Sequence, residues 1–335
     1  MAKIYIAYTG GTIGMKLTSR GWAPAPGFLA EQMASMSELC HPSMPEYVID
    51  EFDELLDSSN MIPSDWSRIA RNIADNYDAY DGFVVIHGTD TMAYTASALA
   101  FLLEGLDKPV VLTGSQIPLC EVRNDGRSNI VTSLLVAAKQ KIPEVTLCFG
   151  PRLVRGCRSV KTSADGFDAF DSPNFPHLGS VGVDIEIDWP LVRKASPGGL
   201  RLHEIGHPVV GALRLFPGIT AELARNVLQP PLQGLVLEAY GVGNAPERNA
   251  GFIAAIREAV ERGVVIVDCT QCLRGSVDLG DYATGSVLAR AGVISGFDMT
   301  VEAALTKLVY LFGSGLPPED VKTQMQLDLR GELTR

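Results

Sequence analysis

Two apolar runs, residues 3–8 and 83–87, each lead into a turn rich in glycine and threonine: Thr9-Gly10-Gly11-Thr12-Ile13-Gly14 after the first and Gly88-Thr89-Asp90-Thr91 after the second. A short apolar run bounded by turn residues reads as a strand buried on both faces, which calls for a parallel sheet covered by helices. In open α/β sheets ligands bind beyond the carboxyl ends of the strands. Two threonine hydroxyls and one carboxylate are thereby delivered to a single edge of a single sheet.

The rest of the chain keeps to this pattern. Residues 47–52, 110–113 and 145–149 are further β-branched or aromatic runs of strand length, and residues 29–39, 64–76, 91–103 and 124–139 carry helical patterns between them. The alternation predicts an α/β fold, a mostly parallel sheet flanked by helices in a large N-terminal domain. Residues 152–171 lack a helical period, and residues 184–206 are irregular and rich in Pro and Gly. After them, strands over 209–216, 234–238 and 264–268 alternate with helices near 220–228, 250–261, 282–291 and 299–311. With 335 residues, two domains are the better division: residues 1–185 as the N-terminal catalytic α/β domain, 186–208 as linker, and 209–335 as a second, smaller α/β domain.

Composition excludes several classes. Lys plus Arg is 28 against 39 Asp plus Glu, a net charge of -11 with no basic cluster, which argues against nucleic acid as a partner. No apolar run approaches the roughly 20 residues that span a bilayer, so no membrane role is expected. The first strand starts at Lys3 with no secretory pattern before it, which points to the cytoplasm. Six cysteines in a chain of this length do not form a disulfide framework; most read as buried fillers.

Several motifs compete with a hydroxyl-based site. The glycines at 10, 11 and 14 miss the Gly-x-Gly-x-x-Gly spacing of a dinucleotide fingerprint, and residues 16–26 read as a polar, Pro/Gly-rich loop where that fingerprint needs a helix. His203-Glu204-Ile205-Gly206-His207 matches the zinc motif letter for letter. That motif works only on a helix, however, and Gly206 and Pro208 oppose one, so the segment reads as an exposed connection. Cys269-Thr270-Gln271-Cys272 has no second cysteine pair to complete a thiolate site. His87 ends a strand and reads as a packing residue. Asp90 is well placed to cap the helix that follows it, and Lys161, taken alone, is a surface charge.

Taken together, Thr9-Gly10-Gly11-Thr12-Ile13-Gly14, Asp57-Ser58-Ser59, His87-Gly88-Thr89-Asp90-Thr91-Met92, Thr113-Gly114-Ser115-Gln116, Lys161 and Ala164-Asp165-Gly166-Phe167-Asp168-Ala169-Phe170 resemble the bacterial-type L-asparaginases, closest to their cytoplasmic type I branch. The resemblance continues through Tyr240-Gly241-Val242-Gly243-Asn244-Ala245-Pro246 and Tyr282-Ala283-Thr284-Gly285, covering essentially the whole chain.

The resemblance implies hydrolysis of L-asparagine to L-aspartate and ammonia, possible minor glutaminase activity, and no metal or other cofactor. Thr12 matches the nucleophile that forms an acyl-threonine ester. Thr89, Asp90 and Lys161 match a group that relays protons. Gly11, Asp57, Ser58, Ser59, Gly88 and Ser115 match the substrate-binding set. A homotetramer, a dimer of dimers, is implied as well.

Two departures stand out. The lid position that often carries a tyrosine reads Trp22, which has no hydroxyl. A possible allosteric asparagine site would involve Glu238, Tyr240, Gly241 and Cys272, yet Glu238 stands where a family arginine would meet the effector's carboxylate, and like charges repel. Alternatives of other classes are a non-catalytic asparagine-binding regulator and the amidase subunit of a tRNA-dependent amidotransferase.

Overall fold

The computed structural model describes residues 1–19, 21–279 and 287–335, and the chain divides into two compact units, Met1–His203 and Glu204–Arg335. In chain order the strands of the first unit are β1 (Lys3–Gly10), β2 (Met15–Thr18), β3 (Gly21–Pro24), β4 (Glu46–Leu56), β5 (Gly82–Ile86), β6 (Leu103–Glu104), β7 (Val110–Thr113), β8 (Val145–Phe149), β9 (Arg152–Arg155), β10 (Val160–Lys161), β11 (Phe170–Asp171), β12 (Gly179–Val181), β13 (Ile185–Ile187) and β14 (Arg201–Leu202). Its helices are α1 (Phe28–Ala34), α2 (Pro63–Asp75), α3 (Met92–Leu102) and α4 (Gly126–Lys139).

Eight strands form the main sheet, in the order β13-β12-β9-β8-β7-β5-β1-β4. The five from β8 to β4 run parallel, and β9, β12 and β13 extend the sheet antiparallel. After its amino-terminal residue β1 is buried throughout, because helices cover both faces, and this is why its sequence is an unbroken apolar run. On one face Ile4, Ile6, Tyr8, Val84, Ile86 and Val111 pack against Leu29 and Met33 of α1 and Ile130 and Leu134 of α4. Helix α3 is buried at every position except Tyr94, so it needs no amphipathic stripe.

Pairing across the sheet settles several local expectations. Residues 16–26 are not a loop: Met15–Thr18 and Gly21–Pro24 pair as an antiparallel hairpin, with Leu17 opposite Trp22. Thr91, not Asp90, occupies the N-cap of α3, with no side-chain cap hydrogen bond, and the Asp90 carboxylate is bound by Lys161 instead. Residues 152–171, which lack a helical period, hold β9, β10 and β11. Residues 186–208 include β14, which pairs antiparallel with β6. Within that segment His203 is half-buried rather than exposed, and its Nε2 lies 2.5 Å from Glu104 Oε2. No helix forms over the zinc-like motif, and among the described residues no group of three or more His, Cys, Asp or Glu side chains could hold a metal.

The second unit carries β15 (Val210–Arg214), α5 (Ala221–Val227), β16 (Gly234–Ala239), α6 (Ala250–Glu261), β17 (Val265–Thr270), α7 (Val287–Arg290), β18 (Ile294–Ser295), α8 (Val301–Gly313) and α9 (Pro318–Met325). Its four strands are parallel in the order β15-β16-β17-β18. Leu235 and Leu237 face α6, while Val236, Val265 and Val267 face α8 and α9. The expected second, smaller α/β domain is present, with helices on both faces of its sheet. Of the expected helix over 282–291, residues 282–286 lie outside the described residues, as does Tyr282-Ala283-Thr284-Gly285. No helix among the described residues is long and apolar enough to cross a membrane.

Candidate active site

Strand order decides where chemistry can occur. From β1 the chain places β4 on one side and then β5 on the other, so the connections diverge at the carboxyl end of β1. Such a switch point opens a crevice. Around it stand the residues following β1 (Gly11, Thr12), β4 (Asp57, Ser58, Ser59), β5 (Gly88, Thr89, Asp90) and β7 (Ser115, Gln116).

Contact between these turns is direct. Gly11 has φ +90°, a conformation L side chains rarely adopt, and a Cβ there would stand 2.4 Å from the backbone nitrogen of Gly88. A Cβ on Gly88 would in turn lie 2.6 Å from Ser58 Oγ. Both positions need glycine so that three turns can touch: the one before Thr12, the one before Thr89 and the one at Ser58. Neither the Thr12 nor the Thr89 N–H donates to an acceptor among the described residues, which leaves two donors at the crevice. Thr12 itself is half-buried at the start of a single 3-10 turn, Thr12–Gly14.

The second cluster is held by long-range bonds. Lys161 Nζ donates to Thr89 Oγ1 at 2.9 Å and to Asp90 Oδ1 at 2.8 Å. Asp90 is 62% exposed at its side chain, so the ion pair contributes no more than about 1 kcal/mol of stability; its effect is to orient. Ser58 is buried, accepts from the Asp90 N–H at 3.2 Å through its hydroxyl, and accepts from Thr91 Oγ1 at its carbonyl at 2.8 Å. The Asp57 carboxylate accepts from the Ser59 N–H at 3.2 Å. Ser58 is thus bonded into the Asp90 turn, while Asp57 and Ser59 form a local turn adjacent to it in sequence.

His87 is wholly buried between Gly88 and Thr95. The Gly88 carbonyl can only accept, so Nδ1 donates to it at 2.6 Å and Nε2 accepts from Thr95 Oγ1 at 2.8 Å. Burial pushes its pKa down to about 4. A neutral imidazole thus fixes the peptide that leads into Thr89.

Ser115 is buried, and its hydroxyl donates to the Ile117 carbonyl at 2.6 Å. The neighbouring Gln116 is the residue that reaches Thr89, with Thr89 Oγ1 donating to Gln116 Oε1 at 3.2 Å. Local sequence carries no signal for this, because the partner is 27 residues away. Asp125 is a second residue missed by sequence reasoning: its carboxylate accepts from the N–H groups of Gln116 and Ile117 and anchors the turn.

In the second unit Glu238 is bound by Arg214 at 3.0 Å, Tyr240 pairs with Asn244 across a tight turn, Gly241 in that turn has φ +52°, and Cys272 is exposed. The carboxylate at 238 therefore already has a cationic partner.

The chain matches the family described as Asparaginase, N-terminal over residues 3–193 and that described as Glutaminase/Asparaginase C-terminal domain over residues 209–325. It is 52% identical over 332 residues to L-asparaginase 1 of Escherichia coli strain K12, which spans 99% of this chain and 98% of that protein. The crystal structure of L-asparaginase I from Vibrio cholerae superposes with a TM-score of 0.93 at 50% identity, covering 100% of this chain and 99% of the other. The thermostable L-asparaginase from Thermococcus kodakarensis, at 34% identity, superposes with a TM-score of 0.89 over 99% of each chain.

Proposed function

The chain belongs to the asparaginase family, and on that premise we propose that Thr12 is the nucleophile with which it hydrolyses L-asparagine to L-aspartate and ammonia. The Thr12 oxygen bonds to the side-chain amide carbon, the C–N bond breaks, and ammonia leaves with the hydroxyl proton. Water then attacks the threonine ester, freeing aspartate and restoring the hydroxyl. Neither step calls for a metal or an organic cofactor.

One observation supports this reading: the close approach of Gly11 to Gly88, which joins the turn bearing Thr12 to the turn whose Thr89 and Asp90 are bound by Lys161. The unclaimed N–H groups of Thr12 and Thr89 are suited to the oxyanion that forms when the amide carbon becomes tetrahedral. Lys161 and Thr89 handle protons beside it. Asp57, Ser58 and Ser59, with Asp90, hold the substrate's α-ammonium and α-carboxylate, which converts binding at the remote end into orientation of the amide. Gly11 and Gly88 give the backbone room to approach it.

Cytoplasmic residence and a homotetramer belong to the same proposal, supported by the likeness to the type I branch. Light scattering on the purified protein tests the assembly. For the chemistry, Thr12→Ala should abolish ammonia release from L-asparagine while leaving the circular dichroism spectrum and unfolding transition intact. Turnover at the native rate in that variant would remove Thr12 from the mechanism.

A further inference from the structure

The Gln116 side chain joins two parts of the site that the backbone leaves separate. Its Nε2 donates to the carbonyls of Ala164 and Gly166 at 3.2 and 3.1 Å, both in the loop between β10 and β11 that follows Lys161. Carbonyls can only accept, so the amide has one permitted orientation: turning it over would set Oε1 against two oxygens. Oε1 therefore faces Thr89.

This fixes the direction of the whole chain of hydrogen bonds. The Lys161 ammonium has donors only, so Thr89 Oγ1 accepts from it, and the single Thr89 hydroxyl proton is left pointing at Gln116 Oε1. What remains free on Thr89 is a lone pair. The turn bearing Gln116 is itself held by Asp125 through two backbone N–H groups, so the acceptor does not drift.

We propose that Gln116 is a positioning residue that orients the Thr89 hydroxyl, occupying its proton so that Thr89 meets the incoming water as a hydrogen-bond acceptor, and that clamps the Lys161 loop in the same contact. The inference rests on the reading of Thr89 and Lys161 as proton-handling groups.

Three variants of the full chain, assayed for ammonia release from L-asparagine between pH 5 and 9, test it. Gln116→Met removes the acceptor and both donors; kcat should fall by about tenfold or more with KM changed less than about twofold, because the amide's hydrogen bonds all go to Thr89, Ala164 and Gly166. Gln116→Glu keeps an oxygen toward Thr89 but, when ionised, presents no proton to Ala164 and Gly166. Its kcat relative to the native protein should climb as the pH falls and the carboxyl regains a proton, whereas the Gln116→Met ratio stays flat. A role in packing alone would leave both ratios independent of pH. Native kcat in Gln116→Met, or a flat ratio in Gln116→Glu, overturns the proposal. Thr89→Val separates the two levels: if it is inactive while Gln116→Met is fully active, only the positioning role fails, and if Thr89→Val turns over normally, the reading of Thr89 fails with it.

Discussion

Asp268 lies on β17 with no exposed surface, and neither carboxylate oxygen has a hydrogen-bond partner among the described residues. Gly243 sits against it so closely that a Cβ there would be 2.9 Å from Oδ2. With no compensating cation or donor among those residues, burial alone pushes its pKa up from 3.8 to about 8. The native protein therefore keeps the proton at neutral pH, while the unfolded chain releases it near 3.8. For a raised carboxyl pKa the favourable contribution is complete below the unfolded value and is lost as the pH rises toward the folded one. Each pH unit in that window removes about 1.4 kcal/mol, so about 4 kcal/mol is lost by pH 7 relative to acid conditions. Asp268→Asn replaces the acid by a neutral group of the same shape that does not titrate. Any fixed difference in packing between the two is independent of pH, so the slope is diagnostic. Urea unfolding of both proteins at pH 5, 6, 7 and 8 should show the variant gaining stability over the native protein by on the order of 1 kcal/mol per pH unit. A difference that stays constant over the series would mean that Asp268 is ionised in the native state, and the reasoning from its burial would be wrong.

Three further outcomes are expected. Lys307 and Glu332 are both completely buried, and Lys307 Nζ also donates to the carbonyls of Met325 and Leu327, so Lys307→Met, which leaves a buried carboxylate alone, should lower unfolding stability by about 3–5 kcal/mol. Burial acts to raise the Glu332 pKa, but Lys307 and the surrounding donors outweigh it and hold it below 4.5; its contribution is present above that pH and is lost as the pH falls below it, and in an unfolding series from neutral pH to well below 4.5 Lys307→Met, which leaves burial dominant, should turn that slope the other way. His87, neutral in the fold with its pKa near 4 against an ordinary 6.5, removes about 2 kcal/mol as the pH falls from 7 to 5, because only the unfolded chain takes up the proton; His87→Gln should lose that dependence in the same measurement. If Glu238, which is bound to Arg214, stands where the family resemblance calls for an arginine, L-asparagine saturation should be hyperbolic, and a sigmoidal curve that Cys272→Ser converts to a hyperbola would contradict this.

Much of the fold was legible in residue order because parallel strands under helices must be apolar on both faces, and that demand writes itself into contiguous sequence. Residues 3–8, 83–87, 110–113 and 145–149 show it, and each lies on a strand or within a residue of its end. Where the demand was absent, the sequence was silent. The hairpin of β2 and β3 has mostly exposed residues, so nothing in its pattern distinguished it from a loop. Asp90 had a sound local role as a helix cap and lost it to Lys161, 71 positions away. Ser115 was the candidate in its turn, and only the loop carrying Ala164 and Gly166 shows that its neighbour Gln116 is the residue that reaches Thr89.

The residue types that can do the chemistry, the turns that carry them and the end of each strand on which they fall were determined by sequence alone, since glycine at a close approach and apolar runs under helices are local requirements. Which turns touch was decided by tertiary structure: β1 lies between β4 and β5, and that neighbour order brings Gly11 against Gly88 and Gly88 against Ser58. Strand order is set by packing energy summed over the whole sheet, and no stretch of ten residues contains it.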